Sequence, residues 1–291
     1  MSVKRANKTK PGKTPGPTAA QLADRHVLYQ KSVQAPEHSI EFFTDEYRKI
    51  FNANALMLRE DFCGTAFLST AWCASNAQRL ALGVDLCRDT LDWGLQHNVQ
   101  AAGEDVAARI RLCHGDVLDI AEPQADVTCA MNFSYQVFKT REQLLRYFRS
   151  AYQGLGEQGL FVLDVFGGTE SMEAMEEERE VEDETFTYIW DQDKFNPITH
   201  DLLCYIHFLF ADGSRMDKAF TYDWRLWSVP ELQELLTEAG FANVRVFWEE
   251  MAEDEDDDEY LEGTGEYYET REVENQESWV SYLVAEKRSG A

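Results

Sequence analysis

A chain of 291 residues, 44% of them apolar, is long enough for one large domain or two small ones and can fill a sizeable core. Its formal net charge of −26 repels phosphate backbones, which disfavours a nucleic-acid substrate, and attracts cations, although the same charge also serves solubility alone. Six cysteines without a Cys-x-x-Cys pair read as reduced thiols, and the lack of an 18-residue apolar run or an apolar signal core predicts a cytoplasmic protein with no membrane span.

Residues 1–18 are basic and rich in Pro and Gly, which predicts a disordered tail; residues 19–288 read as a single domain. A helix is predicted over 19–34. A second begins at Pro36 and places Ile40, Phe43, Tyr47 and Phe51 on one face. The apolar run 55–58 then reads as a buried strand ending in Glu60-Asp61. A tight Cys63-Gly64-Thr65 turn and an apolar helical run follow. A helix opening there aims free backbone N–H groups and the positive end of its dipole into the turn. Residues 81–85 form another short strand ending in an acid, Asp85. Strand, glycine turn, helix, strand and acid make the nucleoside-binding half of a doubly wound sheet.

Helical stretches at 88–101 and 141–155 alternate with strands at 109–113, 126–131 and 160–166, so the sheet is mostly parallel. Residues 172–184 are an acidic, exposed excursion. From 186 to 227 the period changes to two. Aromatic and β-branched residues flank Asn196-Pro197 and Asp212-Gly213, which predicts an antiparallel insertion after the fifth strand. Ser228-Val229-Pro230-Glu231 is a capping box opening a helix that stops at Gly240. Strands at 243–248 and 278–285 should pair as a terminal hairpin, separated by a mobile acidic loop, 249–277. The expected fold is a doubly wound α/β domain. Its mostly parallel sheet has seven strands and ends in an antiparallel hairpin. Carboxylates of the acidic loop lack EF-hand spacing, and no metal is expected.

Glu60-Asp61-Phe62-Cys63-Gly64-Thr65-Ala66 resembles the first motif of class I S-adenosylmethionine (SAM) methyltransferases, an acid followed by spaced glycines. Asp85, followed by Leu86, sits where that family's ribose-binding acid sits. Gly115-Asp116-Val117 matches the strand-end acid that holds the adenine amine. Asn132-Phe133-Ser134-Tyr135 falls where the fourth strand opens onto the methyl group. Phe62 and Ala66 replace the first and third glycines, so the turn is bulkier than the family's. The LREDFCGT form is similar to that of a bacterial and plant subfamily. The resemblance covers roughly residues 20–285 and implies SAM as cofactor, S-adenosylhomocysteine as product and methyl transfer to a small molecule. The cofactor contacts it implies are Tyr29, Glu60, Cys63, Gly64, Thr65, Asp85, Leu86, Asp116, Val117, Asn132 and Phe133, with Tyr29 and Gln30 on a helix that lids the methionyl end. Tyr29 serves equally as ordinary packing.

Methyl transfer needs a nucleophile held about 3 Å from the methyl carbon with water excluded, and no catalytic triad. Candidates on the acceptor side lie in the 186–227 insertion, where the family grafts substrate covers, and near the fourth strand. Arg225 could clamp a carboxylate, or pair with Asp223. Trp190 and Trp224 could line a substrate pocket, or the core. His200 could act as a general base, or sit in a surface turn. Tyr135 could orient a nucleophile, or pack as an aromatic. Protein methylation, a dinucleotide oxidoreductase and a non-catalytic SAM-binding module remain as alternatives. The single retained glycine and the terminal hairpin argue against the oxidoreductase, and the intact Glu60, Asp85 and Asp116 set argues against the module. Oligomeric state is not legible.

Overall fold

Helices and strands follow one another from Ala19 to Arg288 in the order the hydrophobic periods predict, with a few additions. The computed structural model describes residues 16–181, 184–253 and 261–288. The expected disordered tail falls outside them up to position 15, as do positions 254–260 of the acidic loop.

Two helices, α1 (Ala19–Leu22) and α2 (Arg25–Val33), replace the single helix expected over 19–34. Ala23 is extended between them, and Asp24 caps α2 by accepting from the His26 N–H at 2.8 Å. A capping aspartate competes with helix continuation, which is why the run breaks there. Helix α3 (Pro36–Phe51) opens with proline in its first turn and ends at left-handed Asn52. The chain continues through β1 (Met57–Asp61), α4 (Phe67–Ser75), β2 (Leu80–Asp85) and α5 (Arg88–Gly94), then a π-helical turn, Leu95–Val99. Next come α6 (Glu104–Ala107), β3 (Ile110–His114), β4 (Ala125–Ala130), α7 (Arg141–Gly154) and β5 (Leu155–Gly167).

Beyond β5 lie β6 (Met175–Glu180), β7 (Phe186–Phe195), β8 (Asp201–Phe210) and β9 (Arg215–Arg225), which form a separate antiparallel sheet in that order. The insertion is therefore antiparallel, with turns at the two expected places, and the acidic excursion adds an exposed edge strand, β6. Helix α8 (Val229–Ala239) carries the expected capping box and stops at Gly240. Strands β10 (Ala242–Glu253), β11 (Leu261–Thr270) and β12 (Trp279–Arg288) complete the large sheet.

That sheet has eight strands in the order β11-β10-β12-β5-β4-β1-β2-β3. From β3 to β5 all neighbours are parallel, and β12 and β10 pair antiparallel as the expected hairpin. The eighth strand, β11, corrects the reading of 249–277 as a loop: it pairs antiparallel with β10. Successive side chains of β5 enter opposite cores. Phe161 and Leu163 join Leu144, Phe148, Leu232 and Leu236 under α7 and α8, while Leu160 and Val162 join Phe43, Tyr47 and Trp72 under α3 and α4. Burying each such side chain contributes about 1.5–3 kcal/mol. The small sheet has its own core around Ile206, Phe208 and Phe210, sealed by Leu28 of α2. On that sheet Glu176, Asp191 and His207 come within ligand reach of one another, but Arg215 bridges Glu176 and Asp217 and supplies the cluster's cation from the chain itself. No helix among the described residues is long and apolar enough to cross a membrane.

Candidate functional site

The two acids ending β1 point to different places because strand neighbours face opposite sides. Asp61 is fully enclosed. It pairs with Arg59 (Nε–Oδ1 2.7 Å, Nη2–Oδ2 3.2 Å) and accepts from the Tyr147 hydroxyl at 3.0 Å. Arg59 also donates to the carbonyl oxygens of Val117, at 2.9 Å, and Ile120. Asp61 therefore anchors the sheet. Glu60 faces a cleft instead. Its Oε2 accepts from the Ser69 N–H at 2.9 Å and the Ser69 hydroxyl at 2.5 Å, while Oε1 carries no hydrogen bond among the described residues. Burial pushes the Glu60 carboxyl up to about 7, with the two Ser69 bonds pulling the other way.

The turn after β1 holds Phe62, Gly64 and Ala66 at φ of 57°, 53° and 54°. These are the three positions that carry glycine in the motif it resembles. Left-handed geometry costs a non-glycine residue roughly 1–2 kcal/mol, and such strain collects at ligand sites. Phe62 offsets it by packing against Tyr147 and Phe138. Cys63 is buried beside Leu91 and Val99, and its N–H donates to the Val84 carbonyl at 3.0 Å. Thr65 is fixed from two sides: Gln30 Nε2 of α2 donates to its hydroxyl at 2.8 Å, and Asn98 Nδ2 of the π-turn donates to its carbonyl at 2.8 Å.

Asp85 closes β2 beside this turn. Its Oδ2 accepts from the Gly64 N–H at 2.8 Å and its Oδ1 from the Cys87 N–H at 2.7 Å. Each oxygen keeps a lone pair for a further donor. Leu86 next to it is 65% exposed, an apolar surface without a partner. At the end of β3, Asp116 accepts from the Leu118 N–H at 2.9 Å through Oδ1 and is half-buried. Val117 turns inward: its side chain lies in the core and its carbonyl serves Arg59 and Ser150. Glu60, the 62–66 turn, Asp85, Leu86 and Asp116 thus gather at the carboxyl ends of β1, β2 and β3, where open α/β sheets take their ligands.

Two adjoining clefts lie over the ends of β4 and β5. They share Val33, Asn132, Phe133 and Val280. Asn132 and Phe133 are both left-handed, at φ of 56° and 58°. One carboxylate, Asp164 of β5, holds them there by accepting from the Asn132 N–H at 2.6 Å and the Phe133 N–H at 2.8 Å. Burial pushes Asp164 up to about 7, opposed by those two N–H groups. Sequence reasoning missed Asp164 and Ser69. The available signal was a lone acid inside the apolar run 160–166. The first cleft, of about 190 Å³, lies between the β4–β5 ends and the small sheet and is walled by Tyr29, Trp190, Tyr222 and Trp224. The second, of about 330 Å³, is walled by Glu60, Asp164, Glu249, Tyr267 and Tyr282.

Tyr29, Trp190, Trp224, Asn132 and Phe133 are therefore brought together. Three candidates are not. Tyr135 is enclosed in the core under α7 and touches neither cleft, because the helical turn after Phe133 directs its ring inward. His200 occupies the β7–β8 turn at φ 60°, against Phe195, away from both clefts. Arg225 stacks on Trp227 at 3.7 Å, pairs with Glu231 at 3.1 Å and donates to the Lys139 carbonyl at 3.2 Å. It ties β9 to α8 and lines neither cleft. Nor does it pair with Asp223, whose partner is Lys139.

No protein-family model and no curated protein matches the chain. Solved structures do. A SAM-dependent methyltransferase from Clostridium acetobutylicum superposes with a TM-score of 0.65 at 15% identity, over 91% of this chain and 98% of its own. CalS10, an amino pentose methyltransferase from Micromonospora echinaspora involved in calicheamicin biosynthesis, superposes with a TM-score of 0.63 at 13% identity, over 90% and 95%. The sugar N-methyltransferase KedS8 from Streptoalloteichus superposes with a TM-score of 0.58 at 14% identity, over 99% and 100%. The likeness runs the length of both partners, and the chain has the fold of the class I SAM-dependent methyltransferases.

Proposed function

We propose that this chain binds SAM and transfers its methyl group to a small-molecule acceptor. The observation that carries the reading is the convergence of Glu60, the left-handed 62–66 turn, Asp85 and Asp116 on one rim of a sheet with this strand order. The donor set fits the cofactor. Asp85 has lone pairs open for the two ribose hydroxyls, Leu86 offers an apolar surface for adenine and Asp116 an acceptor for its amine. Glu60 keeps Oε1 free on the side of the methionyl group. When bound, SAM supplies an electrophilic methyl group and a neutral leaving group. The chain's own work is to hold the reactants in line and keep water out. Tyr29 and Gln30 on α2 close over the turn, and the small sheet roofs the ends of β4 and β5, where the acceptor belongs.

Calorimetry with the purified protein tests the reading. SAM and S-adenosylhomocysteine are expected to bind at low micromolar strength and a nicotinamide dinucleotide not at all. Asp85→Ala should weaken both by about 1.5–3 kcal/mol, the cost of losing hydrogen bonds to a charged acceptor. Neither heat nor a thermal shift with millimolar SAM would remove the proposal.

A further inference from the structure

The first cleft has a chemical bias of its own. Seven aromatic rings face it: Tyr29 from α2, Phe133 and Phe166 from the ends of β4 and β5, and Tyr188, Trp190, Tyr222 and Trp224 from the small sheet. Ring centroids lie 4.4 Å apart for Tyr222–Trp224, 5.9 Å for Trp190–Tyr222, 6.2 Å for Trp190–Trp224 and 6.3 Å for Phe133–Trp224. These spacings bring β7, β9 and the turn after β4 around one volume. Among the described residues the charged side chains in its wall are Glu170 and Glu177, and no lysine, arginine or histidine lines it. The adjoining cleft adds Glu60, Asp164 and Glu249, with His38 and, among the described residues, no lysine or arginine. Aromatic faces carry negative charge density, and a cation over such faces gains about 0.5–2 kcal/mol, more as water is excluded. A neutral guest donates hydrogen bonds to the carboxylates but draws no Coulombic attraction from them, and an anion is repelled by them.

We propose that the acceptor is an amine, recognised through its positive charge by this aromatic box and the carboxylates at its rim. The inference rests on the methyl-transfer reading for its reaction and on the box alone for its binding. Attack uses the free-base nitrogen, the ammonium proton having passed to water. The nitrogen lone pair forms the new N–C bond as the C–S bond breaks, and that electron pair stays on sulfur. Positive charge therefore moves from sulfur to nitrogen and ends inside the box, which stabilises the product side of the transfer and its transition state together.

The test uses choline, a cationic probe of the box, and its uncharged isostere 3,3-dimethylbutan-1-ol. Each is titrated by tryptophan fluorescence into the full chain with and without saturating S-adenosylhomocysteine. Choline should bind at least tenfold tighter than the isostere, and together with S-adenosylhomocysteine. Trp190→Leu should lower choline affinity at least fivefold without changing S-adenosylhomocysteine affinity. Glu177→Gln, on the exposed edge strand, should lower it about twofold and controls for misfolding of the first variant. Equal binding of the two probes, or no binding of choline, overturns the proposal; so does competition between choline and S-adenosylhomocysteine, which assigns the box to the cofactor. Choline selectivity without any SAM binding removes the methyl-transfer reading and leaves the amine site standing.

Discussion

Glu60 keeps one bare oxygen in a nearly closed wall, and that has a measurable consequence. Its folded-state carboxyl titrates near 7 against an ordinary 4.5, with burial as the main cause. The native state therefore holds this proton more tightly than the unfolded chain does. Stability from this group is complete below about pH 4.5 and is lost as pH rises towards 7. Glutamine keeps both Ser69 contacts and does not ionise, so Glu60→Gln should gain on the wild type by on the order of 2–3 kcal/mol across that window and by nothing further above it. Parallel urea titrations at pH 4.5, 6 and 8 read the difference; a pH-independent gap sinks the argument. At this scale the sequence was most legible where an acid ends a strand beside a glycine turn, because local spacing alone puts Glu60 and Asp85 on the rim. Asp164 was illegible: its neighbours read as the interior of a buried strand, and only its hold on two left-handed residues 31 and 32 positions away explains it. The partner of Arg225 was misplaced for a related reason. A partner six positions on, across the β9–α8 corner, is invisible to a search for pairs one or two residues apart.

Elements were legible wherever hydrophobic period and capping agreed, as in α3, α7 and α8. They were not where composition masked the period. In β11, Glu266, Glu269 and Thr264 on an exposed edge hide the stacking of Tyr267 on Tyr282, centroids 4.3 Å apart, that fixes the strand. The α5 segment hid a different feature. Its helical pattern is sound, but Gly94 ends the α-helix and the π-turn after it carries Asn98 to the Thr65 carbonyl. A Cβ on Gly94 would lie 2.3 Å from the Thr65 carbonyl oxygen, a backbone atom that cannot swing away. Gly94→Ala should therefore push α5 off the 62–66 turn, at a cost of about 1–3 kcal/mol in overpacking. It should also weaken SAM at least tenfold, since Gly64 and Thr65 move with it. A thermal melt and one SAM titration check this; a variant with wild-type affinity would show the turn to be indifferent to α5.

The whole molecule is two sheets with separate cores, joined through α2. Leu28 seals the small sheet's core, while Gln30, on the same helix, reaches the turn of the large one. Leu28→Ala should cost about 2–5 kcal/mol and, by loosening the helix, weaken SAM as well, although Leu28 lines neither cleft. Division into a large sheet and a β addition was readable from the change of period after residue 186. The junction was not, because side chains distant in sequence, from α2, β5 and β7 among others, build it. Charge acts at the same scale. A net charge of −26, with the basic residues of the first 18 positions set against it, disfavours phosphate polymers as acceptors. Electrostatic attraction supplies nearly all sequence-independent nucleic-acid binding, so a chain without a basic stripe loses the usual first step of recognition. Incubation of the protein with methyl-labelled SAM and a cell extract should then place the label in material that passes a small-pore filter and is unaffected by nuclease. Label retained above the filter and released by nuclease would make the acceptor a nucleic acid, and label released by protease would make it a protein. Either result would mean that the clefts between the sheets open wider than an 190 Å³ box for one small amine requires.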